Sequence, residues 1–275
     1  AEKLGLDILN TVPDHSLILL FDDTSFFNTQ YVYLTGGGKI HFRDIRLLQL
    51  GVLGFDFYHK VVASQYLDID TSRWKDPSTV LKLFVEDQKD KRPIFSNTAF
   101  YIDAESIWLQ EGLLKRLYTR SALQNISTTT YIARNDELHQ KYQNPASGAL
   151  DIYVHPLLAD VTRVYANAYI MVADGLSKLK DPVSAERFYK ESVRLQPEIL
   201  ESSLKLAASL LQQKKCEDAQ NLALDLADRF LHDGRPLIFL SNVYKECYPQ
   251  TDKAKLYEQK LQELKQKSQT DLFDF

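Results

Sequence analysis

Two adjacent carboxylates follow a short apolar run near the start of the chain. Leu17 to Phe21 are continuously apolar, and Asp22 and Asp23 come directly after them, before a segment with helical spacing. In sheets of parallel strands, ligands bind beyond the carboxyl ends of the strands, which is where we expect these side chains. Carboxylates there could bind a metal ion or a sugar hydroxyl group. Asn97 ends a later strand-like run, and we group it with both aspartates as candidate ligand-binding residues.

The same turn also has a purely structural interpretation. Aspartate, serine and threonine are favoured N-cap residues, because their side-chain oxygens accept hydrogen bonds from the first free N–H groups of a helix. We favour the interpretation that Asp23 is the cap and that Asp22 is solvated, although Thr24 or Ser25 can also cap this helix. The sequence leaves open whether the turn binds a ligand or only begins a helix.

Other motifs that could carry chemistry are weak. The stretch TGGGK at 35–39 lacks the spacing of a phosphate-binding loop and follows a helix, so we predict that it ends that helix. The six histidines show no metal-ligand spacing. No serine has the flanking glycines of a nucleophile elbow. We therefore predict no catalytic residue, no metal site and no cofactor for this chain.

Composition excludes several classes of protein. Among 275 residues, 44% are hydrophobic and 25% are charged, which is ordinary for a soluble globular protein. The net charge is 33 − 37 = −4 without a basic block, so nucleic acid is not an expected partner. No apolar run approaches the roughly 18 residues of a membrane span. Two cysteines, Cys216 and Cys247, exclude a disulfide scaffold and a cysteine-rich metal site.

The two halves of the chain differ in pattern, and this predicts an α/β domain followed by an all-α domain. Residues 1–120 alternate short apolar runs with helical stretches, so we predict a small parallel sheet with strands near 17–21, 45–50 and 93–97. The segment IWLQEGLLKRLY at 107–118 fits either a helix or a strand. Residues 121–159 read as an irregular connecting region, 160–267 as helical repeats and 268–275 as a tail.

The helical half contains a repeat of 34 residues. This shift pairs Ala173 with Ala207 and Ala185 with Ala219, and a weaker third copy places Ser241 beside them. Small residues at such positions allow helices in a hairpin to approach closely. The period resembles the tetratricopeptide repeat, and we expect three hairpins, with a plain helical bundle as the alternative. This register predicts a concave binding face made of Asp174, Lys178, Gln212, Asn242 and Lys245.

Three segments carry a resemblance to a known family. They are VPDHSLILLFDDTSFFNTQYVYLTGGGKIHFRDIRLLQLGVLGFDFY at 12–58, RPIFSNT at 92–98 and EGLLKRLY at 111–118. Their order resembles the soluble region after the last membrane span of multi-span glycosyltransferases that are related to protein O-mannosyltransferases. The family turn usually reads Gly-Asp before its Asp-Thr, whereas Phe21-Asp22 precede Asp23-Thr24 here.

The resemblance implies a parent enzyme that moves a sugar from a lipid-linked donor to an acceptor, with its catalytic acids in the membrane part. This region would then be a soluble, non-catalytic domain on the extracytoplasmic side. It would hold or select the acceptor, or dock a protein or peptide partner, beside its own membrane domain. The competing interpretation is a stand-alone tetratricopeptide-repeat adaptor for protein–protein interaction. A third is a small-molecule enzyme with its site at Asp22 and Asp23.

Overall fold

The computed structural model describes residues 2–36, 44–143 and 156–270. By internal contacts the chain divides into two compact units, Ala1–Val172 and Ala173–Phe275. The first contains a five-stranded sheet with helices, and the second is helical. None of the helices in these described ranges is both long and apolar enough to cross a membrane.

The first unit alternates helices and strands, as the sequence predicts. The ends of the three predicted strands lie within one residue of their expected positions. These strands appear in the sequence as apolar runs because their apolar side chains are buried in the sheet. The elements in chain order are α1 Glu2–Thr11, β1 Leu17–Leu20, α2 Asp23–Thr35, β2 Arg46–Gln49, a 3₁₀ turn Leu50–Val52, α3 Asp56–Gln65, α4 Pro77–Gln88, β3 Ile94–Ser96, β4 Ser106–Glu111, β5 Leu114–Thr119, α5 Arg120–Gln124 and α6 Thr128–Lys141.

The sheet has the strand order β2-β1-β3-β5-β4. Strand β1 lies between β2 and β3. It pairs in parallel with β2 through Leu17 opposite Arg46, and with β3 through Leu17 opposite Ile94. All four residues of β1 are fully buried. On one side of the sheet Trp74 and Phe84 pack edge to face in the hydrophobic core.

The predicted parallel sheet is only partly correct, because β4 and β5 are antiparallel. Glu111 and Leu114 pair across a loop of only two residues, Gly112 and Leu113. Gly112 has φ +55°, the left-handed conformation that such a tight turn requires. Parallel strands need a crossover of a dozen or more residues, so this short connection can only return antiparallel. The segment that fitted helix or strand is therefore a β-hairpin.

Helix α2 ends where the sequence predicts. Gly36 is its C-cap with φ 73°, and its N–H donates to the carbonyl of Val32. A residue with a Cβ is strained in this conformation, which explains the stop at the first glycine of the triplet. Gly37 and Gly38 lie outside the described residues.

The predicted connecting region contains a regular helix, α6, rather than only irregular chain. Ser127 begins it, since its hydroxyl accepts a hydrogen bond from the N–H of Thr130 at 3.0 Å. The helix is anchored to the β-hairpin turn, because Asn135 Oδ1 accepts from the Gly112 N–H at 2.9 Å. Residues 144–155 of this region lie outside the described part of the chain.

The remaining helices follow one another with short connections. They are α7 Pro156–Lys178, α8 Pro182–Leu195, α9 Leu200–Gln212, α10 Cys216–Arg229, α11 Arg235–Cys247 and α12 Lys253–Thr270. Each helix from α8 to α11 packs against the next one in the chain. Ala173, Ala185, Ala207 and Ala219 are fully buried, and Ser241 is 4% exposed. The small residues of the sequence repeat thus lie inside this helical stack.

Candidate functional site

Asp22, rather than Asp23, begins helix α2. Its backbone is extended, with φ −86° and ψ 148°, and its Oδ1 accepts a hydrogen bond from the N–H of Ser25 at 2.7 Å. An N-cap side chain must reach the third residue beyond it, which Asp22 does from just outside the helix. Asp23 is the first helical residue and cannot do so. Our assignment of the cap to Asp23, and the alternatives Thr24 and Ser25, are wrong.

Asn97 connects the ends of two parallel strands. Its side-chain Nδ2 donates to Asp22 Oδ2, and its Oδ1 accepts from the backbone N–H of Phe21 at 3.0 Å. Its own backbone N–H donates to the Leu19 carbonyl at 3.4 Å. Asn97 can reach both groups because β1 and β3 are neighbours and end at the same edge. The structure therefore brings Asp22 and Asn97 together.

Asp23 lies at the same edge of the sheet, but it contacts β2, the strand on the other side of β1. It is exposed, and its Oδ1 accepts a hydrogen bond from Gln49 Nε2 at 2.8 Å. Gln49 is the last residue of β2 and stands opposite Leu20 in the register. All three sequence-predicted residues thus lie beyond the carboxyl ends of the parallel strands, although only Asp22 and Asn97 contact each other.

Lys115 is a further residue of this site that sequence reasoning missed. It stands opposite Ser96 in the β3–β5 pairing, and its Nζ donates to the backbone carbonyl of Asn97 at 3.3 Å. Burial lowers the pKa of the Lys115 ammonium, and no carboxylate of the described residues pairs with it. The only signal in the sequence was a lysine in a strand-like run, and its neighbour could not be known before β5 was placed beside β3.

Exposed aromatic side chains follow each of the three parallel strands. Phe21 comes after β1 and is 61% exposed, and Tyr101 comes after β3 and is 82% exposed. Phe55 and Phe57 follow β2, and their rings stack with centroids 5.8 Å apart. Large aromatic rings that remain exposed are typical of binding surfaces. We call Asp22, Asp23, Asn97, Lys115 and these four aromatic residues the carboxyl-edge site.

The arrangement of the carboxyl-edge site suits binding better than proton transfer. Both oxygens of Asp22 already accept hydrogen bonds, from Ser25 and Asn97, so this carboxylate has little freedom to move a proton. In the described ranges, no cluster of three or more histidine, cysteine or acidic residues could hold a metal ion. Asp23 and Lys115 retain hydrogen-bonding capacity at this edge, and exposed aromatic rings follow the same parallel strands in the chain. This combination suits a ligand with hydroxyl or amide groups on an apolar framework.

The predicted concave face of the helical half is exposed in part. Lys178, Gln212 and Asn242 are exposed, whereas Lys245 is exposed but pairs with Glu258 at 2.5 Å. Asp174 differs, because it accepts hydrogen bonds from Tyr189 at 2.7 Å and Lys205 at 2.6 Å. Its carboxylate holds helices together and is less available to a ligand than we expected.

A disulfide bond joins the two cysteines, a pairing that the sequence does not predict. Cys216 is the first residue of α10 and Cys247 the last residue of α11. The two positions meet because α10 and α11 pack against each other. Their Cα atoms lie 5.9 Å apart, within the usual range for a bridge.

The sequence matches no model of a known protein family, and no curated protein is significantly similar to it.

Proposed function

We propose that this chain is a non-catalytic, extracytoplasmic domain of a membrane glycosyltransferase, and that it holds or selects the acceptor or docks a partner. One observation carries the proposal. The three segments that resemble the glycosyltransferase tail all contribute to the carboxyl-edge site, with Asp22 from the first, Asn97 from the second and Lys115 from the third. Three segments that are far apart in the sequence thus meet at one surface. This is expected if the resemblance to the family reflects a shared binding surface.

The chemistry of this surface favours recognition over catalysis. Its carboxylate at Asp22 is engaged by the fold, while Lys115 and Asp23 can hydrogen-bond a ligand and the neighbouring rings can stack on it. Sugar rings and peptide side chains both present such mixed polar and apolar faces. An acceptor held here would be positioned by several weak contacts, with the chemistry carried out by the membrane part.

Two features support an oxidising, extracytoplasmic location. The bond between Cys216 and Cys247 is of the kind that persists in secreted and periplasmic proteins and is rare in the cytosol. Asn125 opens an Asn-Ile-Ser sequon, and its side chain is exposed in the described structure. Both features accord with the side of the membrane that the resemblance implies.

Two measurements test the proposal. The coding sequence upstream of Ala1 should encode a multi-span hydrophobic segment. A water-soluble domain in its place would show that the parent protein is not a membrane glycosyltransferase.

The isolated chain, titrated by NMR with a panel of oligosaccharides and unfolded peptides, should show chemical-shift changes at the Asn97 side-chain amide. Lys115→Gln should weaken that binding and the exposed control Lys82→Gln should not. Binding without any chemical-shift change at Asn97 would show that the ligand does not bind at the carboxyl-edge site.

The second candidate is a tetratricopeptide-like adaptor, and a specific observation favours it. Helices α8 and α10 begin at Pro182 and Cys216 and end at Leu195 and Arg229, so both boundaries recur after 34 residues. We propose that α7 to α12 form three such hairpins, with Lys178, Gln212 and Asn242 as their peptide-binding positions. Peptides selected on the whole chain should lose binding in Gln212→Arg and retain it in Asp23→Asn; the reverse pattern would favour the carboxyl-edge site.

A further inference from the structure

A cleft lies on the first unit away from the residues of the carboxyl-edge site. It has a volume of about 400 Å³ and is bounded by the α4–β3 connection, by the start of β3 and by the second half of β5. The lining residues are Lys89, Asp90, Lys91, Arg92, Pro93, Ile94, Ser106, Arg116, Leu117, Tyr118, Thr119 and Ala122. We call it the basic cleft. It shares no residue with the carboxyl-edge site.

The pairing of the strands explains why the cleft is open. Strands β3 and β5 pair only at Phe95 opposite Arg116 and at Ser96 opposite Lys115. Beyond Arg116, β5 continues to Thr119 and pairs with β4 alone. The chain before β3 therefore does not pair with the end of β5. The α4–β3 connection lines one side of the space between them, and residues 116–119 of β5 line the other.

Two arginines in the cleft have hydrogen-bond donors without a partner among the described residues. Arg92 is only 10% exposed and donates through Nη2 to Asp68, while its buried Nε and Nη1 have no partner in the described structure. The Arg116 guanidinium lies over the rings of Phe95 and Tyr118, with centroid distances of 5.7 and 4.8 Å. Its nearest carboxylate oxygen, on Glu111, is 4.0 Å away. Buried donors of this kind are costly to leave unpaired.

The charge of the lining is strongly positive. Four cations face one carboxylate, Asp90. Lys89 and Lys91 pair with Asp103 at 3.1 Å and Asp87 at 2.9 Å, but neither of these carboxylates lines the cleft.

We propose that the basic cleft binds the phosphate group of an organic phosphate, a second ligand site that is independent of the proposed function. Arginine presents its N–H donors in a planar fork that matches phosphate oxygens. The Arg116 guanidinium, together with Arg92 and two lysines of the same lining, suits a group that carries at least two negative charges. The volume exceeds that of a bare phosphate. Leu117, Pro93 and the Tyr118 ring provide an apolar wall for an organic remainder.

Calorimetric titration of the whole chain with pyrophosphate and with glucose 1-phosphate tests this site. We expect saturable one-to-one binding that weakens about tenfold or more in Arg116→Gln, the scale of losing a charge-assisted contact. Arg116→Lys should retain part of the affinity, and Lys60→Gln, an exposed lysine on α3 outside the cleft, should leave it unchanged. Thermal melts of all variants identify any loss that comes from unfolding.

A phosphate group can be carried by a free small molecule or by a lipid headgroup. Sedimentation with vesicles that contain phosphatidic acid, compared with pure phosphatidylcholine vesicles, distinguishes the two sources. Binding to either probe that depends on Arg116 supports the proposal. No saturable binding to any probe, or equal binding by wild type and Arg116→Gln, overturns it. Neither result bears on the carboxyl-edge site, whose test uses Lys115.

Discussion

The side-chain amide of Asn97 donates a hydrogen bond to the carboxylate of Asp22, although the two residues are 75 positions apart in the sequence. The contact exists because β1 and β3 are parallel neighbours that end at the same edge. It joins the first turn of α2 to the end of β3. The Asp22 carboxylate, which the sequence suggests as a ligand-binding group, therefore has a structural role at this edge of the sheet.

Asp22→Ala should lower the free energy of unfolding by about 2 kcal/mol, since it removes an N-cap and leaves the Asn97 amide without its acceptor. Asp23→Ala should change it by less than about 0.5 kcal/mol, because this carboxylate is exposed and, among the described residues, its hydrogen-bond partner is Gln49 alone. Urea denaturation of the two single variants compares them directly. A larger cost for Asp23→Ala would contradict the capping arrangement.

Ala207→Leu should lower the free energy of unfolding by about 1–3 kcal/mol, because Ala207 is fully buried in the helical unit and has no room for a larger side chain. Lys178→Ala, at an exposed position, should change it by less than about 0.5 kcal/mol. Chemical denaturation of both variants gives midpoints that can be compared directly. Equal midpoints would show that the 34-residue register is wrong.

Glu186 should make the helical unit sensitive to acid. Burial alone would raise its pKa, but hydrogen bonds from Lys190, Lys215 and Gln213 outweigh burial and lower the pKa to about 2. A carboxyl whose folded pKa is depressed contributes stability above its unfolded value near 4.5, and this contribution is lost as pH falls from there toward 2. We expect Glu186→Gln to be less stable than wild type at pH 7.

The difference between wild type and Glu186→Gln should shrink as the pH falls below 4.5, because protonation removes the same ion pairs in the wild type. Unfolding free energies of both proteins at several pH values between 3 and 7 measure this change. Glu191→Gln, which removes a partly exposed carboxylate on the same helix, serves as the control and should show a smaller dependence. A difference that does not vary with pH would contradict the assignment.

Removing the disulfide should destabilise the helical unit by roughly 3–4 kcal/mol, the value expected for opening a closed loop of about 30 residues. The variant with both Cys216 and Cys247 replaced by serine is the test, since it also prevents mixed disulfides. Its melting temperature should match that of the reduced wild type. If reduction leaves the wild-type melting temperature unchanged, the bond is not formed in solution.

The sequence predicted the parts of the fold that depend on local pattern. The run Leu17 to Leu20 reads as a buried strand because it is apolar on both faces, and Gly36 ends α2 because only glycine is relaxed there. The hairpin at Gly112 was ambiguous, since leucine, lysine and arginine fit helices and strands alike. A glycine inside an alternating run was its only local sign.

The site was predictable in position but not in its contacts. Strand ends indicate the edge, yet adjacent aspartates cannot be told apart as caps until the backbone angles of Asp22 are known. Lys115 reaches Asn97 only through the antiparallel return of β5, which depends on sheet order. The pairing of Cys216 with Cys247 likewise depends on two helices packing, and a spacing of 31 residues does not reveal it.

The bond between Cys216 and Cys247 also determines what a protease can release. The connection between α10 and α11 includes the residues Leu231 and His232, which are exposed and therefore accessible to a protease. A cut there falls inside the bridged loop, so the two fragments stay covalently joined. The nicked chain would migrate as one species on a non-reducing gel and separate only after a thiol is added. Helices α11 and α12 are therefore retained after a break that would otherwise detach them.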